Sequence, residues 1–338
     1  MTKIDIFSGF LGAGKTTLIK KLIKEGYKNE QLVLIENEFG EIGIDGGFLK
    51  EAGIQINEMN SGCICCSLVG DFRKALTKVL DEYHPDRIII EPSGVGKLSD
   101  VINAVKAVVS DDVKLNSFVT VADATKCKIY MKNFGEFYNN QIENASTIIL
   151  SRTQNISDEK LEKCLALIRE HNDKAAIVTT PWDDITGEQI LSATDGKALL
   201  SADDICPVCG HSHDDDDECC DHDHEHHHHH DGECCDHDHE HHHHHADEVF
   251  TSWGKETARK YTIDEIKEIL SALSDSEKYG TILRAKGIVP ATDGKWIHYD
   301  FVPEEMNVRN GSADYTGRIC VIGSKLNESE LEKLFKLV

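Results

Sequence analysis

The sequence predicts an α/β protein, with a mostly parallel sheet covered by helices on both faces, followed by a smaller α+β domain. Short apolar runs alternate with helix-like segments through the first 180 residues, which is the pattern of a parallel sheet. Residues 201–248 interrupt this pattern because they contain almost no apolar side chains. We therefore expect a first domain over residues 1–200, a disordered insert over 201–248, and a second domain over 249–338.

The expected strands of the first domain are apolar runs a few residues long. They cover residues 4–10, 31–37, 86–92, 117–123, 146–152 and 174–180. Helices are expected at 15–26, 68–83, 98–109, 134–144 and 158–171. In the second domain, strands are expected at 281–289, 295–303 and 317–323, and helices within 256–273 and at 327–335.

The composition limits the kinds of partner. A formal net charge of −24 argues against a nucleic-acid partner, because phosphate backbones need a basic face. The sequence contains no apolar run of the roughly 18 residues that a membrane span requires. The first ten residues resemble a strand and lack the features of a signal peptide, so we expect a cytoplasmic protein.

Residues 9–16, Gly-Phe-Leu-Gly-Ala-Gly-Lys-Thr, match the phosphate-binding motif G-x-x-x-x-G-K-[ST]. They follow the first expected strand and open the first expected helix, which disfavours a chance glycine turn. Backbone N–H groups of such a loop bind phosphates, while Lys15 reaches the β and γ phosphates and the Thr16 hydroxyl binds Mg²⁺. The predicted nucleotide-binding residues are Gly9, Gly12, Ala13, Gly14, Lys15, Thr16 and Thr17. The motif predicts a P-loop nucleotide hydrolase.

Hydrolysis also needs carboxylates near the metal and the attacking water. Glu91 ends a buried apolar run, where a metal-shell carboxylate is expected, and Asp123 ends the next run similarly. The acidic segment 36–45 contains Glu38 and Glu41 and is suited to a switch loop. We predict catalytic roles for Lys15, Thr16, Glu38, Glu41 and Glu91. The alternative is that these carboxylates are only solvated strand ends.

Nine of the 12 cysteines fall in short clusters, which in a cytosolic chain indicate metal ligands or redox groups. Cys63, Cys65 and Cys66 lie in a loop before an expected helix and predict a site for an ion such as Zn²⁺. Buried cysteines or a redox pair remain the alternatives. The isolated cysteines, Cys127, Cys164 and Cys320, are interpreted as small core residues.

The expected insert is rich in metal ligands. Cys206 and Cys209 have C-x₂-C spacing, and His211 and His213 follow at once, which is enough for one tetrahedral site. Residues 216–230 then recur almost unchanged as 231–245, each copy with a cysteine pair and seven histidines. An engineered tag is disfavoured because the stretch is internal and duplicated, whereas a solvated spacer would not need this ligand density. Imidazole suits Zn²⁺, Co²⁺ and Ni²⁺ alike, so the metal stays open.

These motifs together resemble the CobW family of P-loop GTPases, a group regarded as metallochaperones. The resemblance rests on residues 9–17, 36–45, 62–66, Glu91 and 151–154, and in the second domain on 283–289, 294–302 and 317–323. It implies GTP and GDP as ligands, Mg²⁺ and Zn²⁺ (or Co²⁺ or Ni²⁺) as metals, and a metal-dependent client protein.

The resemblance also assigns base recognition to Ser151, Arg152 and Gln154, at the position of the family's N/S-K-x-D motif. An Asp in that motif accepts two hydrogen bonds from guanine, whereas Gln154 offers one acceptor and one donor. The departure leaves open whether this residue or another group reads the base.

We therefore expect a nucleotide hydrolase that couples hydrolysis to delivery of a transition metal to a client. Two alternatives remain, namely a metal-storage protein with a vestigial P-loop and an activator of one cobalt or nickel enzyme. A homo-oligomeric state is left open.

Overall fold

The computed structural model describes residues 1–28, 30–37, 55–59, 69–107, 112–196, 249–314 and 316–337. Two sheets organise these residues, one in each part of the chain. Within them, no helix has both the length and the apolar character needed to cross a membrane.

The first part of the chain forms a parallel sheet, as predicted. Its strands are β1 (Thr2–Ser8), β2 (Leu32–Asn37), β3 (Gln55–Met59), β4 (Arg87–Glu91), β5 (Val113–Asp123), β6 (Thr147–Ser151) and β7 (Ala176–Val178). Over the described residues their order is β3-β2-β4-β1-β5-β6-β7, and each neighbouring pair is parallel. The chain turns to one side of β1 and then to the other, so the carboxyl end of β1 lies where such sheets bind ligands.

Alternating residues of the central strands enter two different cores. On β1, Ile4 and Ile6 face one core, whereas Phe7 faces the other. On β4, Ile88 and Ile90 face the first core and Ile89 faces the second. Both faces are therefore buried, which explains why these strands are continuous apolar runs.

Helices cover both faces of this sheet. They are α1 (Lys15–Glu25), α2 (Val69–Tyr83), α3 (Leu98–Lys106), α4 (Cys127–Glu143), α5 (Asp158–His171) and α6 (Gly187–Thr194). The predicted helix at 134–144 is too short, because α4 continues N-terminally through a kink at Phe134. Two short elements, β3 and α6, were not predicted.

The second part of the chain forms an antiparallel sheet with its own core. Its strands are β8 (Thr251–Thr257), β9 (Thr281–Pro290), β10 (Trp296–Val302), β11 (Glu305–Gly311) and β12 (Gly317–Ser324). Their order over the described residues is β11-β10-β9-β12-β8. The helices are α7 (Ile263–Ala272), α8 (Ser276–Tyr279) and α9 (Glu328–Leu334). The predicted α/β and α+β fold classes are both confirmed, although β8, β11 and the short helix α8 are not among the predicted elements.

The two sheets share an apolar interface. Phe250, just before β8, packs on Phe10 of the phosphate-binding loop with ring centroids 6.1 Å apart, and on Phe137 of α4 at 5.0 Å. Ile288 and Ile322 of the second sheet join the same core. The second sheet is therefore held against the loop that follows β1.

The three isolated cysteines are buried, as predicted. A hydrogen bond with Cys127 and burial raise the pKa of the Cys164 thiol, which favours its neutral form. Cys320 lies on β12 and belongs to the core shared by the two sheets.

Candidate nucleotide-binding site

The glycine-rich loop connects β1 to α1 and lies at the carboxyl end of the central strand. Two of its glycines are sterically required. Gly9 has φ of 143°, and a Cβ there would lie 2.3 Å from the carbonyl oxygen of Val121. Gly12 has φ of 71°, and a Cβ there would lie 2.3 Å from Cγ1 of Val302 in the second sheet. Only glycine can therefore hold the backbone in this position.

Lys15 is the first residue of α1 and lies folded over the loop. Its Nζ donates to the carbonyl oxygen of Gly9 at 2.8 Å, and only 6% of the residue is exposed. A buried ammonium held by loop carbonyls is close to any group that the loop N–H groups bind. The next residues, Thr16 and Thr17, also line the cavity in front of the loop.

Thr16 and Glu91 are brought together from different elements. The Thr16 Oγ1 donates to Oε1 of Glu91 at 3.0 Å and lies 3.3 Å from Oε2. Parallel pairing places the end of β4 beside the end of β1, so this contact follows from the sheet order. Hydroxyl and carboxylate oxygens are ligands that Mg²⁺ prefers, so the pair fits that ion.

Arg152 connects the phosphate-binding loop to β5 and to the second sheet. Its Nη1 donates to the carbonyl oxygen of Gly12 at 3.0 Å and to Oδ2 of Asp123 at 3.0 Å. Its Nη2 donates to Oε2 of Glu305 at 2.6 Å. Asp123 is 3% exposed and also accepts from the backbone N and the hydroxyl of Thr125. Asp123 therefore holds Arg152 and Thr125, and the metal role considered for it has no support in these contacts.

The other residues of the predicted base-reading segment differ in exposure. Ser151 is buried at the end of β6, whereas Gln154 is exposed in the 3₁₀ turn Thr153–Asn155. Neither lines the cavity that contains Lys15, Thr16 and Arg152. The loop residues Gly9 and Ala13 also lie outside the lining.

The cavity in front of the loop has a second wall, which the sequence motifs do not predict. Its volume is about 240 Å³. The first domain contributes Gly12, Gly14, Lys15, Thr16, Thr17, Glu91 and Arg152, and the second sheet contributes Arg284, Asp300, Val302, Glu305, Asn307 and Arg309. Strand β11 has little apolar content and carries a polar residue at every second position. This alternation is the signal in the sequence that could have indicated a polar face on the second sheet.

Several predicted site residues lie outside the described residues. These are Glu38, Glu41, Cys63, Cys65, Cys66, Cys206, Cys209, His211 and His213. Within the described part of the chain, no three His, Cys, Asp or Glu side chains converge as metal ligands. The metal-binding expectations therefore stay predictions.

Comparison with known families matches both parts of the chain. The profile of the family described as CobW/HypB/UreG, nucleotide-binding domain, matches residues 3–179. The profile of the cobalamin synthesis protein cobW C-terminal domain matches residues 250–338.

Similar proteins are named as zinc chaperones. The zinc chaperone YeiR of Escherichia coli is 31% identical over 160 residues, which are 47% of this chain and 49% of that protein. The zinc chaperone YjiA of E. coli is 32% identical over 192 residues, covering 54% of this chain and 58% of that protein. The zinc chaperone CobW of Sinorhizobium sp. is 40% identical over 127 residues, covering 35% and 36%. The chain thus spans about half the length of the curated relatives it matches.

Among solved structures, the Zn(II)-bound YjiA GTPase from E. coli aligns over 99% of this chain and 98% of its own length. The sequence identity is 19% and the TM-score is 0.42.

Proposed function

The chain belongs to the CobW/HypB/UreG family, and from this premise we propose that it hydrolyses GTP and couples hydrolysis to the delivery of a transition metal to a client protein. The proposed metal is zinc, because the relatives in E. coli and Sinorhizobium sp. are named zinc chaperones. The proposed location is the cytoplasm, where clustered cysteines stay reduced.

One observation carries the nucleotide part of the proposal: the Thr16 hydroxyl and the Glu91 carboxylate meet 3.0 Å apart at the phosphate-binding loop. Thr16 and Glu91 would hold Mg²⁺, which supplies charge neutralisation at the phosphates when bound. Lys15 would bind the phosphate oxygens, and these would replace the Gly9 carbonyl oxygen as the acceptor of its Nζ. Arg152 stabilises the conformation of the loop by donating a hydrogen bond to the Gly12 carbonyl oxygen.

The metal part rests on residues of the sequence outside the described ranges. We propose that Cys63, Cys65 and Cys66 bind the delivered ion and that Cys206, Cys209, His211 and His213 belong to a loading arm. Glu38 and Glu41 are proposed to respond to the nucleotide. The proposed domain limits are 1–200, 201–248 and 249–338, which accord with family matches that end at 179 and resume at 250.

Phosphate release from GTP and ATP tests the enzymatic proposal. The full chain should release phosphate in the presence of Mg²⁺, and Lys15→Ala should reduce the rate to background because the phosphates lose their principal cation. Lys20→Ala, on the same helix, is the matched control. Absence of turnover in the wild-type chain would contradict the proposal and favour the alternative, a metal-storage protein with a vestigial P-loop.

Equilibrium dialysis with Zn²⁺ tests the coupling. The zinc affinity should differ between the GDP complex and the complex with a non-hydrolysable GTP analogue, and the difference should vanish when Cys63, Cys65 and Cys66 are changed to Ser. Equal affinities in the two nucleotide states would refute coupling. Deletion of residues 211–245 should lower the zinc stoichiometry and leave basal hydrolysis intact.

A further inference from the structure

We propose that the second sheet is part of the phosphate site and that Arg284 and Arg309 bind phosphate oxygens of the nucleoside triphosphate. The triphosphate would lie between the glycine-rich loop and one face of strands β9, β10 and β11. This inference rests on the proposed nucleotide binding and extends it, because it assigns phosphate-binding residues to the second domain.

The register of the second sheet brings the polar residues to one face. Asp300 of β10 pairs with Asn307 of β11, and Val302 pairs with Glu305. Cross-strand partners point to the same side of a sheet, and so do residues two apart on one strand. Arg309, two positions beyond Asn307, therefore shares this face, which is the wall of the cavity. The intervening residues of β10, Tyr299 and Phe301, face the core of the second domain.

Three contacts hold the end of this face against the first domain. Val302 packs directly on Gly12, leaving no room for a Cβ at that glycine. Arg152 of the first domain bonds Glu305 at the start of β11. Lys126 donates to the carbonyl oxygen of Pro303, between the two strands. The wall is thus fixed at the turn between β10 and β11. Its two arginines, Arg284 on β9 and Arg309 on β11, lie on the strands beside this turn.

The charge of the cavity suits an anion that brings a divalent cation. Among the described residues that line it, the cations are Lys15, Arg152, Arg284 and Arg309, and the carboxylates are Glu91, Asp300 and Glu305. Each carboxylate has a partner within the lining, since Glu91 accepts from Thr16, Asp300 from Arg284, and Glu305 from Arg152. Of the cations, Arg309 is exposed to the open side of the cavity, and its Nη1 donates to Oδ1 of Asn307 at 3.3 Å.

The chemistry of the arginines suits a phosphate ligand at the loop that carries the phosphate-binding motif. A guanidinium presents a planar set of donors that matches phosphate oxygens and keeps its charge at any physiological pH. The cavity volume of about 240 Å³ lies below the roughly 300–1,000 Å³ of pockets that enclose whole drug-sized ligands. It therefore fits the phosphate end of a nucleotide, with the base outside. Lys15 and Thr16 form the opposite wall, and a lysine at this position reaches the β and γ phosphates. The arginines would therefore face the terminal phosphate, so we expect them to distinguish a triphosphate from a diphosphate.

A purely structural role for Arg284 would also place it in the cavity, because its Nη2 lies 2.8 Å from Oδ2 of Asp300. In that case Arg284 only neutralises Asp300, and its loss would harm phosphate binding by exposing a carboxylate. A double variant separates the two roles. Arg284→Met combined with Asp300→Asn removes both charges, so binding recovers if neutralisation is the role and stays weak if Arg284 binds phosphate.

The experiment is isothermal titration of the full chain with Mg²⁺ and either GDP or non-hydrolysable analogues of GTP and ATP. The variants are Arg309→Met, Arg284→Met and the double variant Arg284→Met/Asp300→Asn, for which Arg284→Met is the reference. Each should weaken binding of the triphosphate analogue by about tenfold and binding of GDP by less, since a charge-assisted hydrogen bond is lost. Lys295→Met is the control, because Lys295 is an exposed cation of the same domain outside the cavity.

The outcomes separate the inference from the proposed function. Wild-type affinity in Arg309→Met overturns the assignment of Arg309, and recovered affinity in the double variant overturns that of Arg284. A wild-type chain that binds no nucleotide overturns the proposed function and this inference together. Thermal unfolding checks the fold, and Arg309→Lys serves as a second variant if Arg309→Met is unstable. It keeps the charge without the planar fork, so an intermediate affinity supports the inference and wild-type selectivity for the triphosphate overturns it.

Discussion

The hydroxyl of Thr16 donates to Oε1 of Glu91 at 3.0 Å and lies 3.3 Å from Oε2. The two residues are 75 positions apart and meet because β4 pairs with β1 in parallel register. This contact joins the start of α1 to the end of a buried strand. It places two oxygen ligands suited to Mg²⁺ at the phosphate-binding loop.

Glu91→Gln is expected to raise the Mg²⁺ concentration needed for half-maximal hydrolysis and to lower the maximal rate about 100-fold, since a charged metal ligand becomes neutral. The amide oxygen can still accept from Thr16, so the free energy of unfolding should change by less than about 1 kcal/mol. Phosphate release measured against Mg²⁺ concentration tests this. Glu136→Gln, in a remote ion pair with Lys97, is the control. An unchanged Mg²⁺ requirement in Glu91→Gln would exclude the metal role.

Arg152→Met should lower the free energy of unfolding by about 2 kcal/mol, because it removes the ion-pair partner of the buried Asp123. The two bonds from Thr125 limit the loss. Adding Asp123→Asn should recover part of it, since the unpaired charge is then removed. Glu305→Gln is the comparison, because its side chain is 56% exposed and should change stability by less than about 1 kcal/mol. Urea unfolding gives these values, and equal effects of Arg152→Met and Glu305→Gln would contradict the buried role.

The phosphate-binding loop and the strands around it could be predicted because each is encoded in one contiguous stretch. Residues 9–16 carry the whole motif, and strands buried on both faces are recognisable as apolar runs. Elements without such runs were missed. The residues of β11 are mostly exposed, and α6 is only eight residues long. The predicted helix at 134–144 begins at Phe134, the residue at which the helical geometry of α4 breaks.

The second wall of the cavity could not be predicted because it depends on contacts between distant residues. Arg152 and Glu305 lie 153 positions apart, and no local pattern relates them. The family resemblance assigns Arg152 to base recognition, which stays a prediction, and the structure adds its bonds to the Gly12 carbonyl, Asp123 and Glu305. The position in the sequence was informative, but the partners are set by the packing of the second sheet.

Glu265 should stabilise the second domain in a pH-dependent way. Hydrogen bonds from Arg259 at 2.7 Å and from Lys336 at 2.6 Å lower the pKa of Glu265 from 4.5 to about 2. A folded-state pKa below the unfolded value contributes stability above about pH 4.5, and this stability is lost as the pH falls toward about 2. Glu265→Gln should therefore cost about 1 kcal/mol at pH 7 and progressively less at lower pH.

Urea unfolding of wild type and Glu265→Gln between pH 7 and pH 3 measures this difference. Glu268→Gln, on the same helix, shows how much of any change comes from removing a carboxylate from α7. A stability difference that stays constant or grows as the pH falls would contradict the assignment.

Gln154→Asp should increase the preference of the chain for GTP over ATP. The residue is exposed in the 3₁₀ turn after β6, at the position that the family resemblance assigns to base recognition. A carboxylate there accepts two hydrogen bonds from guanine, whereas the amide of Gln154 offers one acceptor, so the ratio of the two affinities should rise about tenfold. Competition binding with GTP and ATP analogues measures the ratio, and Asn155→Asp adds the same charge one position away as the control. A ratio that rises equally in both variants would show an effect of charge alone, and an unchanged ratio in Gln154→Asp would mean that another group reads the base.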